Sequence, residues 1–477
     1  MKKAELVFVP SPLVGHIVSI VELAKLLLNR DDRLSITVLL IKHPEDPIAN
    51  TVVQNVVSAD ASIRHLNLPE IEPPPEEMAV KSPENYIAAY IKSYRAAHAK
   101  HAIVNSVLSS DSGESPALAG IVFDLFCSSM VDVANDLGVP SYLFYTSGAG
   151  FLGFNLYLPI RERIVGREYR LSDPDSVVST FASPVPARVM PTFAFVDDGF
   201  RSFVEHGKKF RETKGMIINT FAELEPYAVK ALGSDPDLPP VYTVGPLLAP
   251  QKEHAGKEEI INWLSEQPPS SVVFLCFGSQ GGFEAPQIHQ IATALERSGH
   301  RFLWSIRRPW SLTSAERASD FTSFDQILPP GFLERTKTRG KVCGWAPQVE
   351  VLAHPATGAF VSHCGWNSTR ESMWHGVPMV TWPIYAEQQV NAFQLVKELG
   401  LAVELTVDYR RVQGSQNVVM AEEIETAIRS VMEAENPVRK RAKEMGEMSR
   451  KALKEGGSSF ISLQHLIDDI IHNIKQC

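Results

Sequence analysis

FVSHCGWNSTRES, residues 360–372, passes from an apolar strand into a helix-like stretch through His363, Gly365, Trp366, Asn367 and Ser368. A helix N-terminus presents unpaired backbone N–H groups and a partial positive charge, so it attracts phosphate. Gly365 lets the backbone approach a ligand closely. Asn367 and Ser368 either cap the helix or hydrogen-bond an anion, and His363 ends the strand where it can donate to a phosphate oxygen. A purely structural corner has a use for Asn and Ser as caps. It has none for His and Trp beside them, so the anion site is the stronger reading.

The same strand-to-helix step recurs along the chain. Apolar runs lie at 6–9, 35–41, 120–123, 141–146, 216–220, 272–278, 301–306, 358–363 and 378–382, with amphipathic stretches such as 17–30, 288–299 and 421–434 between them. This alternation predicts the α/β class, with parallel sheets covered by helices on both faces. A length of 477 residues suits two domains. The pattern pauses at VGPLLAPQKEHAGKEE (244–259), which reads as a linker. We expect a first domain over 1–245, a linker over 246–257, a second domain over 258–457 and a terminal helix over 458–477. The stripe Leu463, Leu466, Ile467, Ile470 and Ile474 should dock that helix back onto the first domain. A cleft between two such domains is the favoured place for a ligand. The irregular segments 68–84 and 171–200 read as binding loops.

Composition removes several classes. Hydrophobic residues at 44% and charged residues at 21% describe an ordinary globular chain. A net charge of −9 argues against a nucleic-acid surface. The five cysteines are scattered and lack zinc-site spacing, so they read as buried thiols in a reducing compartment and no metal is expected. Cys364 adjoins His363, but strand neighbours point to opposite faces, which argues against a nucleophile pair. Pro10 and Pro12 interrupt the first apolar run, which does not read as a signal peptide, and nothing reads as a membrane span. A cytosolic, cytoplasmic protein is expected. GAGFLG (148–153) fits a dinucleotide fingerprint, but about 20 residues on, where a ribose-binding acid should end a second strand, the chain reads REYRLSDPDS (167–176) and no strand pattern. A tight turn with close helix–sheet packing accounts for it better than a cofactor site.

The segment Trp345–Gln388 opens WAPQ, carries HCGWNS with a Glu three residues later and closes WP…YAEQ. It resembles the signature box of plant secondary-product UDP-glycosyltransferases, family 1, in the branch acting on flavonoids and related phenolics. The likeness extends over the whole chain. It implies the GT-B architecture, two facing Rossmann-like domains with an interdomain cleft, and UDP-glucose as donor co-substrate without cofactor or metal. By resemblance, Trp345 stacks on uracil, Ala346 and Gln348 bond the nucleoside, and Glu371 holds the ribose. His363, Gly365, Asn367, Ser368 and Ser279 take the diphosphate, while Trp366, Glu387, Gln388 and Thr146 contact the sugar. Residue types agree with these roles: an indole suits a flat base and a carboxylate suits paired hydroxyls. Two departures stand out. Arg370 occupies a usually aliphatic position and is expected to point to solvent, or else to reinforce phosphate binding. Glu387 replaces a commoner Asp and keeps the charge.

A lone His at a loop–helix start is usually a cap or a surface residue. Here Gly15-His16 lies in the loop after the first strand, at the sheet edge where ligands bind, and the family has its catalytic base at this position. Histidine suits proton removal near neutral pH. Asp124 ends the strand AGIVFD. It either caps the next helix or fixes the His16 tautomer, as a triad's acid does. The expected activity is inverting O-glucosylation of a phenolic or flavonoid small molecule by a monomer. C-glucosylation of an electron-rich ring carbon by the same base is the alternative. An NAD(P)-dependent oxidoreductase and a non-catalytic sugar-nucleotide binder are the readings from other classes. Ile91, Phe126, Phe193 and Phe200 are candidates for the acceptor pocket.

Overall fold

The computed structural model describes residues 3–43, 47–75, 77–78, 83–94, 98–108, 117–248, 256–279, 281–308, 321, 323–410 and 417–474. The chain forms two compact units. One comprises Met1–Ala187, Phe193–Ala249 and Lys451–Cys477, the other Arg188–Thr192 with Pro250–Arg450.

The first sheet contains β1 (Ala4–Val9), β2 (Leu34–Leu40), β3 (Arg64–Asn67), β4 (Ala117–Asp124), β5 (Ser141–Tyr145), β6 (Gly215–Ile218) and β7 (Val241–Thr243). Their order is β3-β2-β1-β4-β5-β6-β7, and every neighbouring pair is parallel. The second sheet contains β8 (Val272–Cys276), β9 (Arg301–Ser305), β10 (Gly340–Cys343), β11 (Thr357–Ser362), β12 (Met379–Thr381) and β13 (Ala402–Glu404). Its order β10-β9-β8-β11-β12-β13 is again wholly parallel. Each is a doubly wound sheet whose strand order reverses once, between β1 and β4 and between β8 and β11. Ligands of such sheets bind at that reversal, beyond the carboxyl ends of the strands. β1, β8 and β11 are buried along their whole length, as continuous apolar runs between two helix layers must be.

The first core gathers Leu6, Phe8, Ile20, Leu23, Val38 and Phe144, together with Leu463, Leu466, Ile467 and Ile470 of the helix Ser458–Ile474. Each fully buried Leu or Ile on that stripe contributes about 1.5–3 kcal/mol. Polar contacts fix the helix azimuth: Tyr242 donates to Asp469, and Asn473 donates to the Tyr142 hydroxyl at 3.0 Å. The second core gathers Val273, Leu275, Phe302, Trp304, Val361 and Trp382.

One sequence expectation shifts. Gly15 and His16 lie inside the first turn of the helix Val14–Arg30, not in a loop. Leu13 is extended (φ −122°, ψ 128°) and serves as the cap, so the chain turns helical directly after Pro12 and Leu13. His16 N–H then donates to Leu13 C=O at 3.0 Å.

The candidate active site

In the first unit the side chains converge at the reversal between β1 and β4. Asp124, the last residue of β4, is fully buried, and its Oδ2 lies 2.9 Å from Nδ1 of His16. The His16 side chain keeps 23% exposure, so the pair joins a sequestered carboxylate to an accessible imidazole. Asp124 also accepts from the buried Ser11 hydroxyl and, at 3.4 Å, from the Phe126 N–H. A carboxylate accepts hydrogen bonds only, so the proton between it and His16 belongs on Nδ1. In the neutral ring that leaves the lone pair on Nε2. Asp124 therefore both caps the following turn and contacts His16, so the two arrangements weighed from sequence are present together. Thr146, just beyond β5, places Oγ1 3.2 Å from His16 Nδ1.

Aromatic rings continue from His16. Phe126 lies 5.7 Å from it and 5.9 Å from Phe203, which stacks on Phe193 at 3.6 Å. Phe126 and Phe193 thus belong to one cluster reaching the imidazole. Ile91 and Phe200 are buried, with no ring contact to that cluster among the described residues. His206 packs on Phe126 and Phe203, and its Nδ1 lies 2.7 Å from the Ser128 hydroxyl. Burial pushes it down to about 4, so it is neutral. Burial, reinforced by the Asp124 charge, raises the Cys127 thiol well above its ordinary value and leaves it inert.

In the second unit the candidates cluster after β8, β10, β11 and β12. The helix Trp366–His375 starts at Gly365, and among the described residues no side chain caps it. A helix start of this kind points backbone N–H groups outward, the arrangement that suits an anion, so the anion reading of Asn367 and Ser368 is carried forward as a proposal. His363 is 6% exposed, and burial pushes it down to about 4, opposed by the Cys276 backbone carbonyl. A neutral ring carries one N–H to donate. Its Nδ1 has no hydrogen-bond partner among the described residues. A Cβ at Gly278 would lie 2.7 Å from His363 Nε2, and one at Gly365 would lie 2.6 Å from it. Both glycines are needed because the imidazole packs against bare backbone. Cys364 takes a left-handed φ of 63°, costly for a side-chain-bearing residue, and Asn391 holds its carbonyl at 2.9 Å.

Gln348, the first residue of the helix Gln348–Ala353, donates to Ser368 Oγ at 2.8 Å and to Glu371 Oε2 at 2.7 Å. Burial raises Glu371 above the usual carboxylate range, while Gln348 and then the Arg370 charge act against that rise. Trp345 leaves 42% of its surface exposed, unusual for an indole, and the Arg307 guanidinium lies 5.1 Å from its ring centroid. Ala346 is buried, Ser279 is exposed in the loop after β8, and Trp366 is buried at the first helical position. Gln388 turns its Oε1 to the N–H groups of Ile384 and Tyr385, at 2.8 and 3.0 Å, which leaves its NH2 end to donate. Glu387 precedes it at the helix start, and its Oε1 lies 3.4 Å from Asn391 Nδ2.

Arg370 does not point to solvent. It is 2% exposed and donates to Oδ1 of Asn367, because helical side chains lean toward the N-terminus and this one runs back under the first turn. Sequence reasoning also missed Ser11, Phe203, Gly278 and Asn391. For Ser11, the Pro10-Ser11-Pro12 step off β1 was the available signal. The GAGFLG turn is an anion seat already filled from within. Glu225 accepts from the N–H groups of Ala149 and Gly150, both at 2.9 Å, and leaves no place for a cofactor phosphate. No group of three or more His, Cys, Asp or Glu able to hold a metal occurs among the described residues, and no helix there is long and apolar enough to cross a membrane.

Comparison with known proteins agrees with this fold. The family model described as "UDP-glucoronosyl and UDP-glucosyl transferase" matches residues 225–441. UDP-glycosyltransferase 71K2 of Pyrus communis is 47% identical, covering 99% of this chain and 98% of its own. UDP-glucose flavonoid 3-O-glucosyltransferase 6 of Fragaria ananassa is 48% identical, covering 98% and 99%. The crystal structure of Medicago truncatula UGT71G1 complexed with UDP-glucose superposes with a TM-score of 0.87 at 45% identity, covering 98% of both chains. On full-length identity to these relatives, and with two doubly wound sheets of the GT-B class, the chain belongs to the plant UDP-glycosyltransferases of the UDP-glucosyl transferase family.

Proposed function

We propose that this enzyme transfers glucose, with inversion, from UDP-glucose to a phenolic hydroxyl of a flavonoid or related small molecule. His16 Nε2 takes the hydroxyl proton, while Asp124 holds Nδ1–H and balances the imidazolium that forms. The acceptor oxygen bonds to the anomeric carbon as the bond from that carbon to the diphosphate oxygen breaks, and UDP departs with the electron pair. The N–H groups at the start of the helix Trp366–His375, with Asn367, Ser368, Ser279 and a neutral His363, meet the charge that develops there. Trp345 stacks on the uracil, Ala346 and Gln348 bond the nucleoside, and Glu371 takes the ribose hydroxyls. Thr146, Trp366, Glu387 and the NH2 end of Gln388 contact the sugar, and the cluster through Phe126 and Phe193 receives the acceptor ring.

The observation that carries this reading is the 2.9 Å contact between His16 and a carboxylate sealed from water. The Fragaria relative's name, a flavonoid 3-O-glucosyltransferase, and the UDP-glucose in the Medicago structure support the choice of acceptor and donor. We further read the protein as a cytosolic monomer; Cys127, Cys276, Cys343 and Cys364 form no disulfide among the described residues, which fits a reducing compartment. The test is a mass-spectrometric screen of UDP-glucose against flavonoids, dihydrochalcones and simple phenols, run in parallel with His16→Ala. We expect an acid-labile glucoside that vanishes in the variant while UDP affinity stays within twofold of the parent. Normal turnover by the variant would remove His16 as base. An acid-stable product would move the acceptor atom from oxygen to a ring carbon served by the same base.

A further inference from the structure

We propose that Arg370 is a positioning residue for the donor diphosphate: its guanidinium locks the Asn367 amide so that the NH2 end is the one offered to the anion. This rests on the donor reading above. Arginine is almost never fully buried unless its charge is used, and Arg370 is 2% exposed. It lies one turn after Asn367, on the helix whose N-terminus is the proposed diphosphate seat. An aliphatic residue at this position would fill the same space without holding anything.

The lock follows from donor and acceptor chemistry. An amide side chain has two ends of similar shape, and rotation about its last torsion exchanges them. The carbonyl end repels an anion and the NH2 end attracts one. A guanidinium has no acceptor, so it can pair only with Asn367 Oδ1, which is the contact found. Pre-orienting a polar group before the ligand arrives lowers the ordering cost of binding. Glu371 is the next residue, and its charge works against the burial that draws Arg370 down to about 10, so the guanidinium remains a cation at neutral pH. Glu371 in turn accepts from Gln348. Arg370 thus stands between the residue assigned to the diphosphate and the residue assigned to the ribose.

The test is calorimetric titration of UDP and of uridine into the parent, Arg370→Leu, Asn367→Ala and the double variant, with Arg370→Lys and Arg370→Gln as folding-tolerant substitutes. Loss of one charge-assisted contact predicts about tenfold weaker UDP binding in Arg370→Leu. Uridine, which lacks the diphosphate, should bind within twofold of the parent. Asn367→Ala should weaken UDP to a similar extent, and adding Arg370→Leu should weaken it no further, because the arginine acts through the amide. Arg370→Lys should recover part of the loss. If Arg370→Leu does not fold, the same split between UDP and uridine is read from Arg370→Gln. Unchanged UDP affinity, equal loss for uridine, or a double variant whose loss is the product of the single losses would overturn the proposal. A parent that binds no UDP would instead sink the donor reading itself.

Discussion

Each unit has one histidine just after a strand that flanks the reversal of its own sheet, and the protein makes opposite things of the two. His16 follows β1, keeps an accessible side chain and has a buried carboxylate 2.9 Å from Nδ1. His363 follows β11, is sealed against Gly278 and Gly365 and is held neutral by burial. Topology supplies a ring at the carboxyl end of a parallel sheet in both units. The partner on Nδ1 and the access to water decide what the ring does. A ring with a carboxylate behind it is built to receive a proton, whereas a buried ring without one is built to donate an N–H and stay uncharged.

The largest expected effect comes from erasing that difference in the first unit. Asp124→Asn keeps the shape but offers an amide that can donate to Nδ1, which moves the ring proton onto Nε2 and removes the base. Turnover should fall about 10³- to 10⁴-fold, the scale of such tautomer losses. UDP affinity, measured by calorimetry, should not change. A fall below tenfold would mean that the carboxylate serves the turn after β4 rather than the base.

The next effect is on stability against pH. His363 sits near 4 in the folded protein and at an ordinary 6.5 when unfolded. As pH drops from about 6.5 toward 4, the unfolded chain binds a proton that the native ring refuses. Stability is therefore complete above this window and declines within it, by about 3 kcal/mol at the lower end. His206 behaves alike in the first unit. Urea unfolding of His363→Asn should show a visibly shallower decline between pH 6.5 and 4. A slope identical to the parent's would show that the buried ring is not held neutral.

Smaller still is the effect of crowding the second ring. Gly365→Ala sets a methyl where only 2.6 Å separates it from His363 Nε2, at a φ of −62° that alanine accepts without strain. Overpacking of this kind costs about 1–3 kcal/mol. UDP should bind roughly ten- to a hundredfold more weakly, while acceptor KM holds. The same methyl at Gly278 would add backbone strain, since φ there is 79°.

How much of this could be read from the chain differs between the two corners. The second is contiguous in sequence, so the residues that meet at that corner were legible as one motif, and the strands buried on both faces announced themselves as apolar runs. β3, with Arg64-His65-Leu66-Asn67, and β10 and β13, with Gly340 and Glu404, did not. They are edge strands, made by pairing with a neighbour's open side rather than by their own hydrophobicity. Arg370 was misread because a charged letter on a helix suggests solvent, and only the first turn lying over it shows otherwise. In the first corner His16 and Asp124 stand out as strand-end residues, but nothing local ties Ser11 to a carboxylate at position 124.

Ser11 gives the smallest effect and the sharpest control on the comparison. Its hydroxyl donates to Asp124 Oδ1, the oxygen turned away from His16, and the other donor there, the Phe126 N–H, is a weak 3.4 Å away. Ser11→Ala should let the carboxylate rotate, lowering kcat about fivefold, the value of one net hydrogen bond. KM for UDP-glucose should stay where it was, and Ser11→Thr, which keeps the hydroxyl, should restore kcat. The second corner has no equivalent, because among the described residues no carboxylate is bonded to His363. If Ser11→Ala raised the KM for UDP-glucose as much as it lowered kcat, the two corners would not be separable parts, and the division into base and donor seat would fail with it.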